Sequence, residues 1–409
     1  MKKKHINILL ASVGILALAA GGVWNFNQYG KSEGQGSKNP YSELQYYGGN
    51  DPTAHRYPGE FEKQQAIWMQ WPSESYNQDS RPVAPVMIKI IKAFAPYIRV
   101  NVASQSTDEI VQIKNLLNQS GDTGDNVHFY VVNHLSIWAR DVGPIFVKDS
   151  QNRLNVVDFG FNNYSRDGSQ YYIDVESQVD KLIAKLYGFP TISTSLISEG
   201  GAIESNGKGT LMVTEAVALK RNPNMTKQQI ENEYKRVLGV KKVIWLKKGL
   251  AEDDGITGGH INEIARFADA GTILLAQILP GDRYANNFSR ESYLRMEENY
   301  NILKNSTDQD GKPFKVIRIP MPPTLYNVTD SSGRLPVRSY LNYAVTNGAV
   351  LMQTYWRQGR SDALKATEDG VKETLRGVFS GRSIIGIDAE NVNLWGGGIH
   401  CITQHMPAQ

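Results

Sequence analysis

Three runs in this chain read almost alike, and their recurrence constrains the fold more than any other feature. They are Gly209-Thr210-Leu211-Met212-Val213-Thr214-Glu215, Gly271-Thr272-Ile273-Leu274-Leu275-Ala276-Gln277 and Gly348-Ala349-Val350-Leu351-Met352-Gln353-Thr354. Each is short, apolar and bounded by turn residues, which marks a buried strand rather than a helix. Helix-like sequence follows each one, over Thr226 to Gly239, Ser289 to Leu303 and Ser361 to Val378. In the first, Thr226 and Gln229 form a capping box. Upstream, Ala66–Trp71, Arg99–Ala103 and Val127–Val132 read as strands, with helices over Val83–Phe94, from Ser106 to Leu117, and over Asp174–Tyr187. No glycine-rich phosphate loop opens a helix after the first strand, as a doubly wound nucleotide-binding sheet would require. The spacing of roughly 60 to 80 residues instead permits about five similar α/β units closing around a centre, where residues from different units meet.

The 409 residues are 41% hydrophobic and 21% charged, with a net charge of only +3, so a sizeable core is possible and no nucleic-acid footprint is evident. The N-terminus is distinct. Lys2, Lys3 and Lys4 precede an uncharged apolar run from Ile6 to Trp24, close to the ~20 residues a spanning helix needs. Residues 1–24 therefore read as a signal peptide or signal anchor, residues 25–50 as a polar tether, and residues 51–409 as the folded domain. This predicts an extracytoplasmic protein, secreted or held at the membrane by that segment.

Glycine-flanked polar residues recur through the domain. Trp138-Ala139-Arg140-Asp141 runs into a Gly-Pro turn, and Trp138 beside a carboxylate suits a planar cation. Glu199 precedes Gly200-Gly201, and His260 follows Gly258-Gly259. Paired glycines let a backbone approach a ligand closely. The sole cysteine, Cys401, follows Trp395-Gly396-Gly397-Gly398-Ile399-His400. It cannot form an intramolecular disulfide, leaving an inert buried thiol, a redox thiol or a nucleophile. A histidine held near a thiol shuttles protons and favours the thiolate. None of the seven histidines lies in a His-Glu-x-x-His pattern, and one cysteine excludes zinc-ribbon ligation, so no metal is expected.

Together these segments resemble the agmatine deiminase and bacterial (Porphyromonas-type) peptidylarginine deiminase family. The likeness runs from Ile67-Trp68-Met69-Gln70-Trp71-Pro72 to Gln404 and includes Trp-x-Arg-Asp-x-Gly-Pro at 138–144, Glu199-Gly200-Gly201, Gly259-His260 with Arg266-Phe267, Ser339-Tyr340-x-Asn342, and the terminal Trp-Gly-Gly-Gly-x-His-Cys-Ile-Thr-Gln. It implies a pentein fold, a five-bladed ββαβ propeller with pseudo-fivefold symmetry. It also implies Cys401 as nucleophile, His260 as proton shuttle and Asp141 as a guanidinium-binding carboxylate. Glu199, Asn342, Trp71 and Trp138 match positions lining the site. No cofactor is needed.

The implied reaction is hydrolysis of a guanidinium to a ureido group and ammonia, with agmatine as first substrate and peptidylarginine as alternative. Arg166 is a candidate to pair with a peptide carboxylate. One departure stands out. The family usually carries Asp two residues after the histidine, and this chain carries Asn262. Loss of a charged hydrogen bond there would cost roughly 1.5–3 kcal/mol, so a guanidinium-binding pseudoenzyme is the rival expectation. Glu263 is expected on the opposite face of a strand from Asn262, and Asp254 is the other acid close by.

Overall fold

The computed structural model describes residues 55–77, 81–121, 124–323 and 336–409. The signal segment and tether expected over 1–50 lie outside them. Among the described residues, no helix is long and apolar enough to cross a membrane.

The three related runs form the middle strands of three small sheets, Thr210–Thr214, Thr272–Gln277 and Ala349–Thr354. They are buried except at some ends, which is why they read as continuous apolar runs without alternation. Each pairs antiparallel on one side, with Ile203–Ser205, Ala265–Phe267 and Ala344–Val345 respectively. Each pairs parallel on the other, with Lys242–Leu246, Lys315–Pro320 and Ser383–Asp388. A parallel neighbour demands a long crossover. Helices Glu215–Arg221 and Lys227–Leu238, Asn287–Lys304, and Asp362–Val378 supply it. The capping box at Thr226 forms, and Gly239 ends that helix with φ 66°.

A fourth sheet has the same plan, with Ile145–Lys148 antiparallel and Thr191–Ile197 parallel to Leu154–Gly160. Its crossover differs from the single helix expected over 174–187. The helix breaks into Gln170–Glu176 and Val179–Tyr187. At the break the Ser177 hydroxyl donates to the Ile173 carbonyl at 2.6 Å, a side-chain bond that competes with helix propagation.

The fifth sheet closes the ring with the two ends of the domain. Gln64–Gln70 pairs parallel with Arg99–Ser104 and antiparallel with the C-terminal Gln404–Pro407, matching Ala66 with Met406 and Trp68 with Gln404. Val127–Val131 adds an outer strand. Helix Ala84–Phe94 covers this sheet, burying Val86, Met87, Ile90, Ile91 and Phe94 at helical spacing. Each such side chain contributes about 1.5–3 kcal/mol. The result is the five-bladed α/β propeller that the resemblance implies.

Every blade is entered through a short irregular segment just before its first strand. Asp141, Glu199, His260, Asn342 and Cys401 all occupy these segments, within five residues of the strands that begin at Ile145, Ile203, Ala265, Ala344 and Gln404. The fivefold repeat therefore brings residues far apart in sequence to one place. The Trp138 segment is a short helix, Ala139–Val142, that leads into the strand Ile145–Lys148.

Beside Cys401 these entries are locked by a buried ion cluster. Glu60 pairs with Arg140 and Arg266, each at 2.5 Å, and with His400 at 2.8 Å. Arg266 also reaches Glu204 at 3.1 Å, and Arg140 bonds His405 at 2.6 Å. Burial opposes the charge on Glu60, but Arg140, together with Arg266 and the adjoining imidazoles, outweighs it and holds the carboxyl well below the usual range. Removing one member leaves buried charge unpaired, at a cost of about 3–5 kcal/mol. Glu60→Ala is therefore expected to lower the denaturant midpoint by that much, and an unchanged midpoint would rule out the lock.

Candidate active site

Cys401 is buried, and three side chains from two other blades surround its sulfur. Asn342 Nδ2 donates to Sγ at 3.1 Å, Asn262 Nδ2 lies at 3.6 Å, and Glu263 Oε1 lies 3.7 Å from the thiol. Burial pushes the thiol well above its ordinary pKa, and the Glu263 and Asp141 carboxyls push it further. The glycines before it allow this approach. A Cβ at Gly397 would stand 2.6 Å from the Trp138 ring and 3.1 Å from Sγ. The Trp138 ring and the sulfur thus both border Gly397.

His260 lies at the entry to the blade that also supplies Asn262 and Glu263. Its Nε2 faces Glu199 Oε2 at 3.1 Å, and Glu199 Oε1 accepts from Arg221 Nε at 2.6 Å. Burial works against the carboxylate, but Arg221 and His260 lower Glu199 to about 2. A permanently ionised Glu199 fixes the Nε2–H tautomer and leaves Nδ1 for chemistry. That nitrogen is buried without a hydrogen-bond partner among the described residues. Burial lowers the imidazole pKa, yet Asp141, Glu199 and Asp253 outweigh it and raise the balance.

Asp141 Oδ1 sits 3.7 Å from His260 Nδ1 and accepts from the Gly201 amide at 3.1 Å. Its other oxygen accepts from the Tyr164 hydroxyl at 2.9 Å. Burial pushes Asp141 upward more than His260 and these bonds pull it down. Tyr164 is held by strained backbone: Asn163, Tyr164 and Ser165 have φ of 52°, 60° and 54°. Each left-handed non-glycine residue costs about 1–2 kcal/mol. A Cβ placed on Gly201 would meet His260 Nδ1 at 2.5 Å, Asp141 Oδ1 at 2.7 Å and Asn262 Nδ2 at 3.0 Å. These residues therefore share one small space with the thiol.

The structure corrects the reading of Asn262 and Glu263. They lie in a 3-10 turn, Ile261–Glu263, not in a strand, so no alternation sends them to opposite faces. Both side chains reach Cys401. Asp254 does not; it is half exposed and pairs with Arg295 at 2.7 Å. Trp71 belongs to the apolar core that holds Val83, Ile137, Ile399 and Ile402, and none of its described contacts is with Cys401, His260 or Asp141. Arg166 is exposed and stacks on Tyr164 at 4.8 Å, bonding Asn163 rather than entering the site.

Arg140 and Asp141 are adjacent but serve opposite sides, Arg140 turning to Glu60 and Asp141 to His260. The sequence offered no sign of Glu60, Arg221 or Asp253. Tyr164 lay in the Phe161–Arg166 segment already singled out, but nothing there distinguished it.

The arrangement combines a thiol, a histidine nitrogen without a hydrogen-bond partner among the described residues, and several carboxyls in one small space. The Porphyromonas-type peptidyl-arginine deiminase model matches residues 56–407. An agmatine deiminase of Medicago truncatula is 32% identical over 390 residues, spanning 88% of this chain and 98% of its own length. The solved agmatine deiminase of Enterococcus faecalis is 27% identical, with a TM-score of 0.76 over 88% of this chain and 98% of that one. A C. jejuni agmatine deiminase crystallised with substrate bound, 22% identical with a TM-score of 0.72 over 87% of this chain and 96% of its own, shares the fold. Sequence, blade plan and relatives agree that this chain belongs to the Porphyromonas-type peptidyl-arginine deiminase family.

Proposed function

We propose that the protein hydrolyses agmatine to N-carbamoylputrescine and ammonia. The observation that carries this reading is the surplus of carboxyl groups around Cys401. Asp141, Glu199, Asp253 and Glu263 are buried there, and among the described residues the basic side chains that pair with any of them are Arg221 and His260. A planar guanidinium, with five N–H donors, supplies both the missing charge and the missing donors. Relatives named as agmatine deiminases support agmatine over an arginine side chain.

The cation also prepares the nucleophile. Its charge offsets the carboxyls that hold the Cys401 proton, and the thiol releases that proton to solvent. The thiolate attacks the guanidinium carbon, and protonated His260 gives its Nδ1 proton to the departing amine, which leaves as ammonia. A covalent thiouronium remains. Neutral His260 then takes a proton from water as the hydroxide adds to carbon. Collapse expels the thiolate, and loss of the hydroxyl proton leaves the ureido product. Asn342, fixed because its Oδ1 accepts the His400 amide at 2.8 Å, steadies the sulfur by donating to it.

Ammonia and ureido product should appear with agmatine and far less with arginine or an arginine-terminated peptide. Product from the peptide alone would replace this reading with peptidylarginine deimination, and binding without product would mark a pseudoenzyme. A pH series tests substrate assistance. The raised thiol must ionise in the free enzyme for kcat/KM, whereas the bound cation lowers its pKa for kcat. The rising limb of kcat is therefore expected at lower pH than that of kcat/KM, and coincident limbs would count against the scheme. The basic and apolar N-terminus from Lys2 to Trp24 supports action outside the cytoplasm, which cell fractionation tests.

A further inference from the structure

The departure at Asn262 raises the question of where the second guanidinium-binding carboxylate has gone. Two neighbouring groups determine how Asn262 is oriented. His400 Nε2 faces both Glu60 oxygens, at 2.8 and 2.9 Å, and a carboxylate requires a donor there. Burial, with Arg140 and Arg266 nearby, keeps the His400 ring well below its ordinary pKa, so it is neutral. Its Nδ1 is then an acceptor, and Asn262 Nδ2 donates to it at 2.9 Å. The Asn262 amide is thereby fixed, with Oδ1 left free of any partner among the described residues.

Glu263 is fixed in the same way by one oxygen. Asn342 Nδ2 donates to Oε1 at 2.5 Å, and that oxygen lies 3.7 Å from Cys401 Sγ. Its other oxygen, Oε2, is buried with no hydrogen-bond partner among the described residues. A carboxyl 3% exposed with one oxygen idle is costly to keep unless a donor arrives. Two unused acceptors, Glu263 Oε2 and Asn262 Oδ1, thus sit on consecutive residues beside the nucleophile. No side-chain cation pairs with Glu263 among the described residues.

We propose that Glu263 is the second guanidinium-binding carboxylate of this chain, opposite Asp141, with the Asn262 carbonyl as a neutral acceptor beside it. The acidic role has moved one residue along the 3-10 turn. This rests on the guanidinium reading of the site and deepens it. It also accounts for a chain that keeps Cys401 and His260 while lacking the family's usual aspartate.

The test uses thiol alkylation of the intact protein by two probes of equal shape. One is cationic 2-chloroacetamidine and the other neutral 2-chloroacetamide. Wild type is expected to react with the cation at least about 100-fold faster, because the carboxylates bind it beside Cys401. In Glu263→Gln that preference is expected to fall at least tenfold while the chloroacetamide rate changes less than threefold. The kcat/KM for agmatine is expected to fall about 100-fold. Glu263→Gln should unfold at the same or a higher temperature. Burial holds the Glu263 pKa well above its unfolded value, so its contribution to stability declines as pH rises from the unfolded value towards the raised one, and glutamine removes that dependence.

Asn262→Asp combined with Glu263→Gln should restore the cationic preference to within about tenfold of wild type. If wild type shows no preference between the probes, the guanidinium reading itself fails. If wild type prefers the cation and Glu263→Gln keeps that preference, only the assignment of Glu263 is overturned. Loss of thermal stability with an unchanged probe ratio would likewise make Glu263 structural.

Discussion

Cys401→Ala is expected to abolish ammonia release from agmatine, by at least about 10⁴-fold in kcat, because removing a nucleophile leaves only binding and electrostatics. The fold should survive. The thiol sits in a polar pocket bounded by Asn342, Asn262 and Glu263, and its loss removes no ion pair. Agmatine binding measured by calorimetry should persist, since the carboxyl groups remain. In wild type, acid quench during turnover followed by mass measurement should show the thiouronium adduct on the peptide containing Cys401. Turnover surviving in Cys401→Ala would end the covalent mechanism.

Gly201→Ala tests the geometry without replacing any reacting group, and kcat/KM is expected to fall about 10²- to 10³-fold. The new methyl would stand 2.5 Å from His260 Nδ1 and 2.7 Å from Asp141 Oδ1. Neither neighbour yields easily. Glu199 holds the far nitrogen of His260, and Tyr164 holds the far oxygen of Asp141. Displacement by about 1 Å from a productive geometry is enough for a hundredfold loss. Gly370→Ala serves as the control, because nothing lies within 4 Å of its added Cβ in helix Asp362–Val378. It should leave kcat/KM unchanged and stabilise by about 0.5–1 kcal/mol. Full activity in Gly201→Ala would show that the reacting groups do not converge there.

Much of this organisation was legible before the structure. The runs at 209–215, 271–277 and 348–354 became middle strands because a strand buried on both faces must be apolar throughout. The fourth middle strand, Leu154–Gly160, lacks the continuous apolar run of the other three because it includes Asn155 and Asp158. Closure by Gln404–Pro407 was hidden for another reason: its partner is more than 300 residues away, and local patterning is silent on such pairing. Asp141, Glu199, His260 and Cys401 were marked by nearby glycines, which record the need for close backbone approach, whereas Asn342 was marked only by the family resemblance. Trp71 was likewise marked only by the resemblance, and it packs in the apolar core with Val83 and Ile137.

The sequence by itself determined the repeated strand–helix unit and the sole thiol, because composition and spacing are local properties, while the missing aspartate at Asn262 stood out only against the family the chain resembles. Only the tertiary structure decided which way each polar side chain turns. Arg140 goes to Glu60 while its neighbour Asp141 goes to His260, and a 3-10 turn brings both Asn262 and Glu263 to the sulfur. In a short irregular segment no helical or strand period assigns a side chain to a face. Its direction is set by hydrogen bonds and charges supplied by other blades, such as Glu60 acting through His400 on Asn262.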